Sequence, residues 1–214
     1  MMARKTVWIA AAFALVALSG CQTWQPIAPE RRALAGGHTI QPTRLWSGIR
    51  VNDTYHLTIN GPGLERVILS PDIKDGKPLF DMFVSTAQEA PVQSVPKLAK
   101  GSSIIEMIEV LENTLEASGM KKIEKTDIAR EPISGRTVTV VSMTMENEAG
   151  LELLSKAYLV NDERGASAFL YYGTKLYHYR QYEQDVDTMI RSILWSEKTP
   201  ATAARSITKA WLNG

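Results

Sequence analysis

Cys21 is the only cysteine in this 214-residue chain. The chain therefore has no internal disulfide and no thiolate cluster of the kind that structural zinc sites need. Histidine is nearly as scarce. His38, His56 and His178 stand far apart, and no His-Glu-x-x-His occurs. The chain also has no Gly-x-Ser-x-Gly elbow, no Gly-x-Gly-x-x-Gly and no P-loop, so the common nucleophile and phosphate-cradling motifs are missing. Charge of one sign is lacking too: 24 basic residues face 23 acidic ones. That balance gives no broad electrostatic case for nucleic acid or for a polybasic membrane patch. No apolar run reaches the roughly 20 residues of a membrane-spanning helix. The expectation is a protein that is not an enzyme, with no metal, no cofactor and no nucleic-acid partner.

What is present begins at the amino terminus. Arg4 and Lys5 precede an almost unbroken apolar run, Thr6 to Leu18, which ends in Leu18-Ser19-Gly20-Cys21. A basic start, a short apolar core and small residues at its exit make a secretory signal peptide. A helix of about 13 residues is roughly 20 Å long, short of a hydrocarbon layer of about 30 Å, so the run is an export signal rather than a span. Leu18-Ser19-Gly20-Cys21 resembles the lipobox of bacterial lipoproteins at all four positions. The resemblance implies a diacylglyceryl group on the Cys21 thiol, cleavage between Gly20 and Cys21, and acylation of the new amino terminus. In the competing reading Ser19-Gly20 is an ordinary cleavage site and Cys21 a spare thiol, a liability in an oxidising compartment. Two or three acyl chains hold a protein stably where one binds only marginally. Gln22, rather than Asp, follows the cysteine. By the same resemblance this favours the outer membrane, with the body facing the periplasm. Loss of residues 1–20 leaves 22 basic and 23 acidic residues, a formal charge of −1.

Residues 21–38 read as a lipidated tether, with Pro26, Pro29, Arg31-Arg32 and Gly36-Gly37 and no lasting period. Residues 39–196 read as one domain. Strands are expected at Gly48–Val51, Tyr55–Ile59, Glu65–Leu69 and Pro78–Ser85, with turns at Asn52-Asp53, Asn60–Gly63 and Lys74–Lys77. Ser103 with Glu106 forms a capping box ahead of Ile104, Ile108, Leu111 and Leu115, one helical stripe, and Gly119 suits a left-handed C-terminal cap. The spacing predicts a helix over 103–118. Met120–Arg130 is weakly extended. Strands follow at Thr137–Glu146, Leu151–Val160, Ala166–Tyr172 and Leu176–Tyr182. A second helix then opens at Gln184 or Asp185 and carries Val186, Met189, Ile190, Ile193 and Leu194. Residues 197–214 form a tail that could be loosely helical.

Strands in runs joined by short turns imply an α+β fold, an antiparallel sheet of about six to eight strands packed by two main amphipathic helices in the order strands, helix, strands, helix. Several of these pieces also recur together in known proteins. The lipobox, the run Asp75-Gly76-Lys77-Pro78-Leu79-Phe80, the acidic helix Ile104–Leu115, the aromatic segment Leu176-Tyr177-His178-Tyr179 and a terminal helix carrying Ser192 resemble, in that order, small proteobacterial lipoproteins. Their architecture is similar to the PsbP/DcrB-like α/β sandwich. The resemblance covers most of residues 40–196 and brings no catalytic residues.

The acidic residues Glu106, Glu109, Glu112 and Glu116 recur at helical spacing, and a solvated face opposite the apolar stripe accounts for them. The richest local cluster is Tyr171–Tyr182, with five tyrosines, His178 and Arg180. Read as two strands, it puts Tyr177 and Tyr179 on one face, with His178 and Arg180 on the other. Ordinary sheet packing explains tyrosines there. The functional alternative is a binding surface formed by Tyr177, His178, Tyr179 and Arg180, since tyrosine and arginine are enriched in binding hot spots. The expected function is therefore a lipid-anchored, non-enzymatic envelope protein working in maintenance, assembly or sensing through an envelope protein partner. The alternative is a small-ligand binder with a cleft near the tyrosines.

Overall fold

The computed structural model describes residues 24–81 and 95–196. Its strands are β1 (Gln25–Ile27), β2 (Arg32–Ala33), β3 (Thr39–Ile40), β4 (Trp46–Val51), β5 (Thr54–Thr58) and β6 (Glu65–Ile73), followed after helix α1 (Ile104–Ala117) by β7 (Lys121–Ile133), β8 (Arg136–Glu146), β9 (Glu152–Asp162) and β10 (Gly165–Thr174). Helix α2 (His178–Arg191) comes last. Eight strands form one antiparallel sheet in the order β1-β4-β5-β6-β10-β9-β8-β7, and β2 and β3 pair separately. The α+β class and the eight-stranded antiparallel sheet agree with the sequence reading.

Strand alternation sorts the two cores. On β10, Phe169 and Tyr171 pack with Tyr179, Tyr182, Val186, Met189 and Ile190 of α2. Their neighbours Ala168, Leu170 and Tyr172 pack with Met107, Ile108, Leu111 and Leu115 of α1. The sheet thus lies between two helices, one per face, and buries apolar side chains on both. Helix α1 forms as expected: Ser103 accepts from the Glu106 amide, the Glu106 carboxyl accepts from the Ser103 amide, and Gly119 takes the left-handed cap at φ 89°.

Three expectations need correction. First, Leu176–Tyr182 is not a strand. Helix α2 starts at His178, because Tyr179, Tyr182, Val186, Met189 and Ile190 form one buried stripe at spacings of three and four. Its first turn crosses closely over β10, where a Cβ on Gly173 would lie 2.8 Å from the Tyr179 amide nitrogen. Second, the spacer expected over 21–38 is already part of the body from Gln25 onward. β1 pairs with β4, Ile27 and Leu34 are buried, Arg31 donates to the Ser192 carbonyl, and Thr39 exchanges two backbone hydrogen bonds with Leu194. Third, Pro78–Asp81 is irregular rather than the start of a strand, though Leu79 and Phe80 are fully buried. The rest of that expected strand, the lipobox residues Leu18–Cys21 and the tail 197–214 lie outside the described residues.

Central strand β6 contains Pro71, which cannot donate to the ladder. The β6–β10 register slips there, between Ala166 opposite Ile73 and Ala168 opposite Ser70, and the Ser167 hydroxyl donates to the Pro71 carbonyl at 2.7 Å. Such a bulge bends a strand and re-aims its side chains. The last described residues are fastened by Trp195, which donates to the Ile133 carbonyl and lies under the Arg136 guanidinium, while Ser196 donates its amide to His38 Nδ1. Burial holds the His38 pKa below its usual value, against the opposing charge of Asp72, so the accepting, neutral ring is the favoured form.

Candidate functional site

Antiparallel pairing collects chain reversals at two ends of the sheet. At one end lie the Asn52-Asp53 turn, the end of β6 and the segment that follows it. A cavity of about 350 Å³ opens there, within the usual size of small-ligand sites. Its floor is polar: Thr54 opens β5, Ser70 closes the regular part of β6, and their buried hydroxyls share a hydrogen bond of 2.9 Å. Thr54 also accepts from the Asp81 amide at 3.1 Å. The position of Ser70 depends on the bulge at Pro71, which follows it.

Ionic groups line the walls. Arg50 donates to Asp53 at 2.8 Å and to the Asn52 carbonyl at 2.6 Å, fixing the turn with Asn52 at φ 52°, a conformation asparagine tolerates. Lys74 pairs with Asp72. Lys77 and Lys97 are brought together by backbone: Leu98 donates to the Lys77 carbonyl and Gly76 donates to the Leu98 carbonyl, both at 2.9 Å. Gly76 sits at φ 69°, which makes the tight reversal between Lys74 and Lys77 possible. Among the described residues, Lys77, Lys97 and the Asp81 carboxylate form no ion pair. Beside the cavity, His56 is fully buried, and its Nε2 faces the Asp81 carbonyl at 2.9 Å. A carbonyl only accepts, so Nε2 carries the proton. Burial, aided by the nearby Arg66 charge, pushes the pKa down to about 4.

The tyrosine segment is organised differently from the sequence reading. Tyr179 is buried, stacked on Tyr171 with ring centroids 5.0 Å apart, and donates to Glu183 at 3.2 Å, so it offers no surface. Tyr171 donates to the His178 and Tyr179 carbonyls at 2.9 and 2.8 Å, which docks the first turn of α2. His178 is held by Thr174 through Nδ1 at 2.7 Å. Tyr177 and Arg180 are exposed, but the helix splits them from Tyr179 instead of aligning all four residues on one surface. Further along α2, Lys156 reaches Glu183 and Asp187, and Tyr158 donates to Asp187, a polar network that packs the helix on β9. Where the alternative reading put a cleft, Tyr171 and Tyr179 are buried and stacked. The cavity lies at the other end of the sheet, where sequence reasoning saw only turns. The one available signal was the concentration of Lys74, Lys77 and Lys97 in two turn-rich segments.

Among the described residues, no three His, Cys, Asp or Glu side chains gather as a metal site, and no helix is long and apolar enough to cross a membrane. No protein-family model and no curated protein matches the chain. Among solved structures it is similar to the solution structure of cyanobacterial PsbP (CyanoP) from Synechocystis sp. PCC 6803, at 14% identity and a TM-score of 0.47, over 84% of this chain and 96% of that one. A likeness at that level carries no functional implication.

Proposed function

We propose that this chain is a lipid-anchored, non-catalytic protein of the bacterial envelope. It is tied through a diacylglyceryl-modified Cys21 to the periplasmic face of the outer membrane and works by binding. The observation that carries this reading is the lipobox-like Leu18-Ser19-Gly20-Cys21, a short way along the chain from the fold. Gln25, four positions after Cys21, already pairs with Gly48 in the sheet. Four residues reach at most about 14 Å, so a lipid on Cys21 keeps the body against the bilayer instead of on a long leash.

A protein partner is the first role, and the end of the sheet away from the cavity supports it. Leu64, Leu151, Leu176 and Tyr177 are exposed there, Leu176 at 96%. Backbone bonds from Thr174 to the Leu64 carbonyl and from Lys175 to the Glu152 carbonyl draw their segments together. Exposed apolar groups gathered in one place mark interaction surfaces. Small-ligand binding is the second role, and the cavity lined by Lys77 and Lys97 favours it.

The anchor is tested by metabolic labelling with a fatty-acid probe and by the mass of the mature protein. The native chain takes up label and fractionates with membranes, whereas Cys21→Ala does neither. Label retained by Cys21→Ala, or an unmodified native mass, overturns the reading.

A further inference from the structure

We infer that the cavity between the Asn52-Asp53 turn and the Lys74–Pro78 segment binds a phosphate ester that carries a nearby amine, the chemistry of a phosphoethanolamine headgroup. The first argument is charge. Two backbone hydrogen bonds hold the segments of Lys77 and Lys97 side by side, and neither ammonium has an ion-pair partner among the described residues. Both lysines are exposed at the cavity, and like charges lining a cleft focus a field that attracts an anion. A phosphate, with several acceptor oxygens, suits two lysines better than a single carboxylate does.

The second argument is complementarity on the remaining walls. Asp81 lines the same cavity, while the other acidic groups there are already engaged, Asp53 by Arg50 and Asp72 by Lys74. The free set is therefore two ammoniums and one carboxylate, the counterpart of a group with a phosphate and an amine. The buried Thr54–Ser70 hydroxyl pair beneath supplies uncharged polar contacts.

The third argument is position, and it rests on the anchoring proposed above. In β1, Ile27 pairs with Trp46 and Gln25 with Gly48, so the strand traced backward points toward the Asn52-Asp53 turn at the cavity mouth. With Cys21 within about 14 Å of Gln25, the cavity opens at the sheet end nearest the lipid. A phospholipid headgroup and a soluble phosphate ester share the proposed chemistry.

The experiment titrates the purified full chain with O-phosphoethanolamine and with inorganic phosphate by calorimetry, then with vesicles of phosphatidylethanolamine and phosphatidylglycerol by flotation. Saturable binding of phosphoethanolamine, tighter than that of phosphate, is expected. Lys77→Ala with Lys97→Ala should weaken it by at least about tenfold, and Asp81→Asn should abolish the preference over phosphate. A control with the same charge change, Lys121→Ala with Lys175→Ala, should bind as the native chain does. Vesicle binding that falls with the Lys77/Lys97 pair in a Cys21→Ala background supports a lipid source. Binding of the soluble ester without vesicle binding supports a soluble source. No saturable binding of either probe, or equal loss in both lysine pairs, overturns the inference. Because the soluble titration does not depend on lipidation, a failed anchor and a failed cavity give different results.

Discussion

Glu65 gives the sharpest test of how the sheet is held at the end away from the cavity. It is completely buried at the start of β6. Its Oε1 accepts from the Thr58 hydroxyl at 2.8 Å and from the amides of Ile59 and Asn60 at 2.6 and 2.7 Å, while Oε2 accepts from Asn60 Nδ2 at 3.2 Å. Asn60 Nδ2 also donates to the Tyr182 hydroxyl at 2.9 Å, linking this turn to α2. Glu65→Ala leaves two backbone amides without their acceptor. At about 1–3 kcal/mol for each unsatisfied buried donor, and with some water reaching a loop that is only partly buried, the loss comes to about 3 kcal/mol. For a body of this size that lowers Tm by about 6–12 °C. Glu65→Gln keeps one oxygen on the amides and forfeits about one hydrogen bond, about 1 kcal/mol. Urea denaturation of the three proteins at neutral pH, with the exposed Glu152→Ala as a reference, checks the order. Equal losses for the Ala and Gln variants, or an Ala variant within 1 kcal/mol of native, would refute the hydrogen-bond account.

Two further outcomes follow from the same structure. His56 titrates at about 4 in the fold and near 6.5 when unfolded, so between those values the unfolded chain binds the additional proton. Stability is complete above about pH 6.5 and falls by roughly 3 kcal/mol as pH drops toward 4. Denaturation midpoints across that range should slope less steeply in His56→Gln, and an unchanged slope would remove His56 as the cause. Arg136, almost fully buried, reaches Asp162 through two nitrogens at 2.9 and 2.6 Å and the Gly165 carbonyl at 2.6 Å, and its guanidinium lies 4.8 Å from the Trp195 ring. Arg136→Lys keeps the charge but not the planar fork, so it should cost about 2 kcal/mol in the same assay. Native-like stability in that variant would show that charge alone suffices.

The features legible in the sequence were those whose signal is local. Helix α1 carries its own start in Ser103 and Glu106, its stripe in Ile108, Leu111 and Leu115, and its stop in Gly119. The β8–β10 meander announces itself through β-rich runs and short turns. Helix α2 hid its beginning because Tyr177, its capping residue, makes no side-chain cap, and because tyrosines favour strands. The 3–4 spacing from Tyr179 to Ile190 was present, but propensity outweighed it. β1 is three residues long and shows no period at all, so only its pairing with β4 reveals it. The cavity is least legible of all, since its walls come from three separate segments, residues 52–54, 70–81 and Lys97, brought together by the pairing of β5 with β6 and by the backbone bonds of Leu98.

The same register limits how this body can meet a partner. Both sheet faces are occupied, one by α1 and one by α2. Both edges are poor templates for strand addition. β1 is short and contains Pro26. β7 carries Lys121, Lys122, Glu124, Lys125, Asp127, Arg130 and Glu131, with two breaks in its pairing to β8. Recognition by added strands is thereby discouraged, and the two ends of the sheet remain. They differ in kind, one polar and concave around Lys77, Lys97 and Asp81, the other apolar and protruding at Leu176 and Tyr177. With the anchor proposed at Cys21, four positions before β1, the polar end would face the bilayer and the apolar end the periplasm. Crosslinks from a photoreactive residue at position 176 should then reach protein, and those from position 77 should reach lipid. The reverse pattern would mean that the body is inverted relative to its anchor.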